Sequence, residues 1–170
     1  MNTSKLEKFA QAARRQLREQ VAARMEQVLR EDSVTLREKE QALQELEEKI
    51  REKTKQGVID EVAYTWFNRF IALRFMDVKQ YTRVGVVSPL EGHTQPELLQ
   101  EAKQGVVFDD LKSVEAEALA LLSGEQVSPN PQQEAYRTLL VAACNYYHGQ
   151  MPFLFQKIED FTELLMPEDL

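Results

Sequence analysis

The chain has 170 residues, 43% of them hydrophobic and 29% charged, a balance that fits a folded domain with a real core and excludes wholesale disorder. No apolar run is long enough to cross a bilayer and Met1-Asn2-Thr3-Ser4-Lys5 lacks the apolar stretch of a signal peptide, so a cytoplasmic protein with no membrane role is expected. The net charge of −7 disfavours broad nucleic-acid coating, and the single cysteine, Cys144, excludes an internal disulfide and any multi-cysteine zinc site.

The charge is unevenly spread. Residues 1–31 carry seven Lys/Arg against four Glu, a net +3, whereas residues 56–170 carry eight basic against seventeen acidic, a net −9. The cationic arm is therefore where phosphate contacts would fall, if the chain meets DNA.

Ser4-Lys5-Leu6-Glu7 fits a capping box and places a helix start near Ser4. Leu6, Phe9, Ala13, Leu17, Val21, Met25 and Val28 then recur every three or four residues as one apolar stripe. Asp32-Ser33 and the box Thr35-x-x-Glu38 signal a turn and a second helix, whose narrow seam is Leu36, Leu43, Leu46 and Ile50. The two helices are expected to pack antiparallel as a hairpin arm over residues 1–56, with Gly57 marking a stop and a helical bundle over 57–170. The stretch Val58–Asp77 is apolar almost all round, so it reads as a buried central helix. Its polar residues Asn68, Arg69, Arg74 and Asp77 need partners, and Arg74 and Asp77 stand at an i,i+3 spacing that allows pairing.

Val84-Gly85-Val86-Val87-Ser88-Pro89 reads as a short extended segment and Glu91-Gly92-His93 as a turn. Thr94-Gln95-Pro96-Glu97 starts a helix, with Thr94 as cap, that ends at Gly105. Another helix runs from Asp109-Asp110 to Gly124 with Leu111, Val114, Ala118, Leu119 and Leu122 on its apolar side. Past the loop Ser128-Pro129-Asn130-Pro131, Gln132 to about Tyr147 buries Tyr136, Leu139, Leu140, Ala143, Cys144 and Tyr147. The dense apolar run Met151–Phe155 precedes a last helix holding Ile158, Phe161, Leu164 and Leu165. The fold class that follows is all-α: a long N-terminal helical hairpin, a buried central helix and three or four shorter packed helices.

Chemistry is hard to find in this inventory. The six glycines are never closer than seven residues apart, so no phosphate, dinucleotide or methyl-donor loop is present. His93 and His148 advertise no partners for a triad or a metal, and the carboxylates sit in solvated helical runs such as Glu45, Glu47 and Glu48. No catalytic residue and no metal site is expected. Arg14, Arg15 and Arg18 fall away from the apolar stripe and admit two readings: a soluble outer face, or a strip that positions DNA phosphates.

Tyr64-Thr65-Trp66-Phe67-Asn68-Arg69-Phe70-Ile71-Ala72-Leu73-Arg74-Phe75-Met76-Asp77 resembles a signature near the start of the PglX family, the adenine-specific DNA methyltransferases of BREX phage-exclusion systems. Met1–Arg24, Val87-Ser88-Pro89, Thr94-Gln95-Pro96-Glu97 and the stretch from Phe153 to Leu165 are similar to that family as well. The Trp-Phe-Asn-Arg core also resembles segments of related single-chain restriction–methylation enzymes. The resemblance implies an N-terminal helical domain of a protein several times longer. That protein would bind S-adenosylmethionine through a Gly-containing motif and hold a flipped adenine at an Asn-Pro-Pro-aromatic motif, with a further domain reading the target sequence. Neither motif occurs in these 170 residues. The implied partners are double-stranded DNA, reached through the whole protein, and other BREX components. The family signature marks Trp66, Asn68, Arg69, Arg74 and Asp77 as candidates for contact with a neighbouring domain. A rival reading is a protein–protein interaction or oligomerisation module that uses the arm and the Met151–Phe155 patch.

Overall fold

A computed structural model describes residues 3–30, 40–155, 158 and 160–167. The architecture is all-α. In chain order it comprises α1 (Thr3–Arg30), α2 (Glu40–Val78), α3 (Glu97–Lys103), a 3-10 turn (Asp109–Val114), α4 (Glu115–Ser123), α5 (Pro131–Gln150) and α6 (Asp160–Leu164). The only strand-like pairing among the described residues is a single bridge between Pro89 and Pro96. The turn signals at Asp32-Ser33 and Thr35-x-x-Glu38, with Leu36, lie outside the described residues.

The chain forms two compact units, one of residues 1–68 with 158–170 and one of residues 69–157. Helix α2 serves both, so the division between these units falls inside it.

In the first unit, α1 and α2 run antiparallel, as their cross-contacts show. Lys55 Nζ is 3.1 Å from Glu26 Oε1, Arg18 Nε is 2.7 Å from Asp60 Oδ1, and the Arg14 guanidinium lies 4.7 Å from the centre of the Phe67 ring. As the α1 number falls, the α2 number rises. The apolar stripe of α1 is buried only in its second half, at Val21, Met25 and Val28, and on α2 Ala42, Leu46, Val58 and Val62 are buried. Leu6 and Phe9, at the start of the stripe, are exposed.

The break in α2 falls at Thr54, where φ is 74° and ψ 156°, and Gly57 continues the helix. The Thr54 hydroxyl accepts the Gly57 N–H at 3.3 Å, the N-cap arrangement that satisfies a donor of the new helical turn. The break therefore comes three residues before the glycine, because a threonine cap supplies a hydrogen bond that glycine could not.

α6 closes the first unit. The last carbonyls of a helix run out of intrahelical donors, and side chains from the hairpin reach two of them. Trp66 Nε1 donates to the Thr162 carbonyl at 3.2 Å and Arg24 Nε to the Leu164 carbonyl at 3.2 Å. Trp66, Phe161, Leu164, Leu165 and Met166 are all buried.

The second unit is organised by α5, which packs against α3, α4 and the 3-10 turn and buries Ala135, Tyr136, Leu139, Leu140, Ala143 and Cys144. Tyr147, expected on that side, is half-buried. Asp109–Val114 is a 3-10 turn instead of the first α-turn of a longer helix, and Leu121 replaces Leu119 and Leu122 as the buried leucine of α4. Helix α3 ends at Gly105, whose φ of 82° suits a residue without a Cβ. The α3 start differs from expectation: Pro96 is the cap and Thr94 makes no capping bond.

α2 ends in a Schellman motif. The Tyr81 N–H donates to the Met76 carbonyl at 2.9 Å and the Gln80 N–H to the Asp77 carbonyl at 3.0 Å, with Gln80 in the left-handed position at φ 56°. The apolar contact that accompanies this motif is the edge-on pairing of Tyr81 with Phe75, ring centres 6.2 Å apart. A side chain at a left-handed position costs about 1 kcal/mol relative to glycine, so Gln80→Gly should raise unfolding stability by about that amount, measured by chemical denaturation. A destabilised Gln80→Gly protein would contradict this account of the α2 terminus.

Candidate functional site

Asp77 is the busiest polar residue of the second unit. Its Oδ1 accepts the Thr82 hydroxyl at 2.9 Å and the Val86 N–H at 3.0 Å, while Oδ2 accepts the Val87 N–H at 3.0 Å and the Ser88 hydroxyl at 2.8 Å. Arg74 Nη1 in turn hydrogen-bonds the Ser88 hydroxyl oxygen. The pairing anticipated from the i,i+3 spacing is therefore indirect, with Ser88 standing between guanidinium and carboxylate.

This fixed loop then starts α3. The first two N–H groups of that helix, of Glu97 and Leu98, donate to the Ser88 and Gly85 carbonyls, each at 3.0 Å, and Glu97 Oε2 accepts the Gly85 N–H at 2.6 Å. A Cβ on Gly85 would sit 2.4 Å from the Ser88 carbonyl oxygen, so only glycine permits this close approach. From the other side, the buried Tyr136 hydroxyl donates to the Val86 carbonyl at 3.0 Å. Desolvation, with the Asp77 charge adding to it, raises the Tyr136 phenol well above its ordinary pKa and keeps it a neutral donor.

An open cleft of about 430 Å³ lies over this loop, lined by Arg74, Asp77, Thr82, Arg83, Ser88 and Glu97 among others. Its carboxylates already accept backbone and hydroxyl protons, and Arg83 Nε lies 3.6 Å from Asp110 Oδ2.

The remaining reactive groups serve the fold. Cys144 is buried and burial pushes its thiol up to about 12, which makes it a small apolar side chain in practice. Arg69 is buried with its guanidinium pKa lowered by desolvation. His148 hydrogen-bonds through Nδ1 to the Phe155 carbonyl, closing the end of α5, and His93 is exposed in a turn. Among the described residues no group of three His, Cys, Asp or Glu side chains is placed to hold a metal ion, and no described helix is long and apolar enough to cross a membrane.

Of the five signature residues, Trp66 and Arg69 are buried, Asn68 and Asp77 are half-buried, and Arg74 is exposed. The structure gives Trp66 and Asp77 hydrogen-bonding roles within the fold. Those roles were not legible locally, since the partner of Trp66 lies 96 residues away. The one signal in the sequence was a carboxylate at the end of an apolar helix.

Arg14, Arg15 and Arg18 are all exposed on α1, but their surroundings differ. Arg14 stacks on Phe67 and Arg18 pairs with Asp60. Arg15 makes no ion pair among the described residues, including with Glu19. At 3.6 residues per turn, Lys8 and Arg15 lie within about 20° of each other and roughly opposite the Leu6–Leu17 stripe, whereas Arg14 borders it.

The region is all-helical. No family model matches it. Two large enzymes do. The adenine-specific methyltransferase BrxX of Escherichia coli O9:H4 (strain HS) is 34% identical over 124 residues, 72% of this chain and 10% of that protein. The adenine-specific methyltransferase PglX of Lacticaseibacillus casei (strain Zhang) is 38% identical over 113 residues, 64% of this chain and 9% of that protein. The chain thus spans about a tenth of the length of these relatives. It belongs, as a helical region, to the PglX-like adenine-specific methyltransferases.

Removing the Asp77 carboxylate would leave two backbone and two hydroxyl donors to find water. Asp77→Ala should therefore cost about 3 kcal/mol of unfolding stability, whereas Arg74→Ala, which removes a single part-buried hydrogen bond, should cost about 1. Equal losses in denaturant titrations would show that the loop is held by something other than the carboxylate.

Proposed function

We propose that this chain is the N-terminal helical domain of a site-specific N6-adenine DNA methyltransferase of a BREX phage-defence system, and that it helps the enzyme engage double-stranded DNA. The relatives' identity as adenine-specific methyltransferases supports the reaction class. In this reading S-adenosylmethionine and the flipped adenine are handled by other parts of the protein, and the 170 residues here do no chemistry. The observation that carries the DNA role is the outward face of α1, where Lys8 and Arg15 are exposed and aligned on the side away from the hairpin. Cations so placed neutralise phosphates and release counterions without reading bases. Arg14 and Arg18 border the hairpin and reach DNA only by giving up Phe67 and Asp60, so they contribute less.

A quantitative expectation for the whole enzyme follows. Every phosphate that goes unneutralised takes about 0.9 off the slope of log affinity against log salt, so Lys8→Glu with Arg15→Glu should flatten that slope by about 2. The measurement is DNA binding titrated between about 50 and 200 mM salt. An unchanged slope would take α1 out of the DNA interface, and saturable S-adenosylmethionine binding by residues 1–170 alone, seen by calorimetry, would overturn the division of labour.

A further inference from the structure

The C-terminal part of α2 was expected to be buried all round, and it is not. In the second unit Ala72, Leu73 and Met76 are buried on one side. On the other, Ile71 is 45% exposed, Phe75 55% and Val78 62%, at the i, i+4, i+7 spacing of a single helical face. Tyr81, 67% exposed, is folded back beside Phe75 by the Schellman turn, which extends the face by one ring. Arg74 and Lys79 are exposed at its edge. An aromatic and aliphatic centre with a charged rim is the composition of a protein interface, and none of it is used by the phosphate-facing side of α1.

We infer that this face is the seat of another part of the same polypeptide in the full-length PglX-like protein, an apolar surface with acidic residues placed to meet Arg74 and Lys79. Two observations select that occupant over a second copy. The four exposed side chains amount to about 500 Å², short of the roughly 800 Å² per partner that a stable free-standing complex buries. A tethered occupant needs less, because the linkage supplies an effective concentration in the millimolar range. The curated relatives supply the tether: some nine-tenths of their length lies outside the region that matches this chain. The inference rests on the reading of the chain as part of such an enzyme.

The test compares the 170-residue chain with the full-length protein by hydroxyl-radical footprinting. Oxidation of Phe75 and Tyr81 should fall at least about five-fold in the full-length protein, while buried Tyr136 stays unreactive in both. Val78→Glu, at a side chain of the same face that makes no contact within the fold, should restore the reactivity of Phe75 and Tyr81 in the full-length protein and leave the denaturation midpoint of the 170-residue chain nearly unchanged, which separates a failure of docking from a failure of folding. Equal oxidation of Phe75 and Tyr81 in both forms, in a full-length protein that methylates adenine, overturns the inference. So does a dimer of the 170-residue chain in sedimentation equilibrium that Val78→Glu abolishes, since the occupant is then a second copy. A full-length protein that fails to methylate adenine overturns the underlying enzyme reading instead, and the footprint still decides whether the face is covered.

Discussion

The second unit depends on one carboxylate. Asp77 sits in the last turn of α2, where helix carbonyls crowd and a negative charge gains nothing from the helix dipole. What holds it there is four hydrogen bonds from a loop that has no strand partner of its own. Backbone N–H groups in such a loop need acceptors when they leave water, and Asp77 provides two oxygens for Val86 and Val87. Once the loop is fixed, its carbonyls are aimed at the first N–H groups of α3, and Val86 presents its carbonyl to Tyr136 of α5. One side chain thus determines where α3 begins and how the loop meets α5. The cleft above the loop is a consequence of this arrangement, since the groups lining it are spent on each other.

The first unit depends on a different device with the same logic. A five-residue helix such as α6 has almost no cooperativity of its own, and most of its carbonyls lack intrahelical donors. Trp66 and Arg24 supply donors from the two arms of the hairpin, and the apolar side chains of residues 161–166 fill the space around them. The indole therefore does two jobs that helical spacing alone would not reveal: it packs, and it terminates a helix from the far end of the chain.

This contrast explains what the sequence could and could not disclose. Periodicity located α1, α4 and α5, because each has a face that must leave water, whereas α3 was marked by Pro96-Glu97 at its start, and Gly105 and Gly124 marked ends for steric reasons that are local. The break in α2 falls away from Gly57 because Thr54 competes by offering an oxygen to a free N–H, a signal weaker to the eye than a glycine. Nor could α6 be attached to the hairpin from sequence, since nothing near Thr162 names Trp66. The signature polar residues drew attention as exceptions within an apolar helix. The exception proved to be Asp77 turned inward, while the apolar residues taken for core at Ile71 and Phe75 face outward.

That reversal bears on how such a segment is built. A helix apolar on every side satisfies itself only when every side is covered, and α2 covers one side at Leu73 and Met76 while leaving Ile71, Phe75 and Val78 in water. Keeping β-branched and aromatic side chains on a solvated helix face gains nothing in helix propensity over lysine or glutamate, and it costs solubility. The α1 hairpin, by contrast, is dressed on its outer face with charged residues at the positions that periodicity assigns to solvent. The two surfaces therefore differ in composition: a charged outer face on α1 and an apolar one on the C-terminal part of α2.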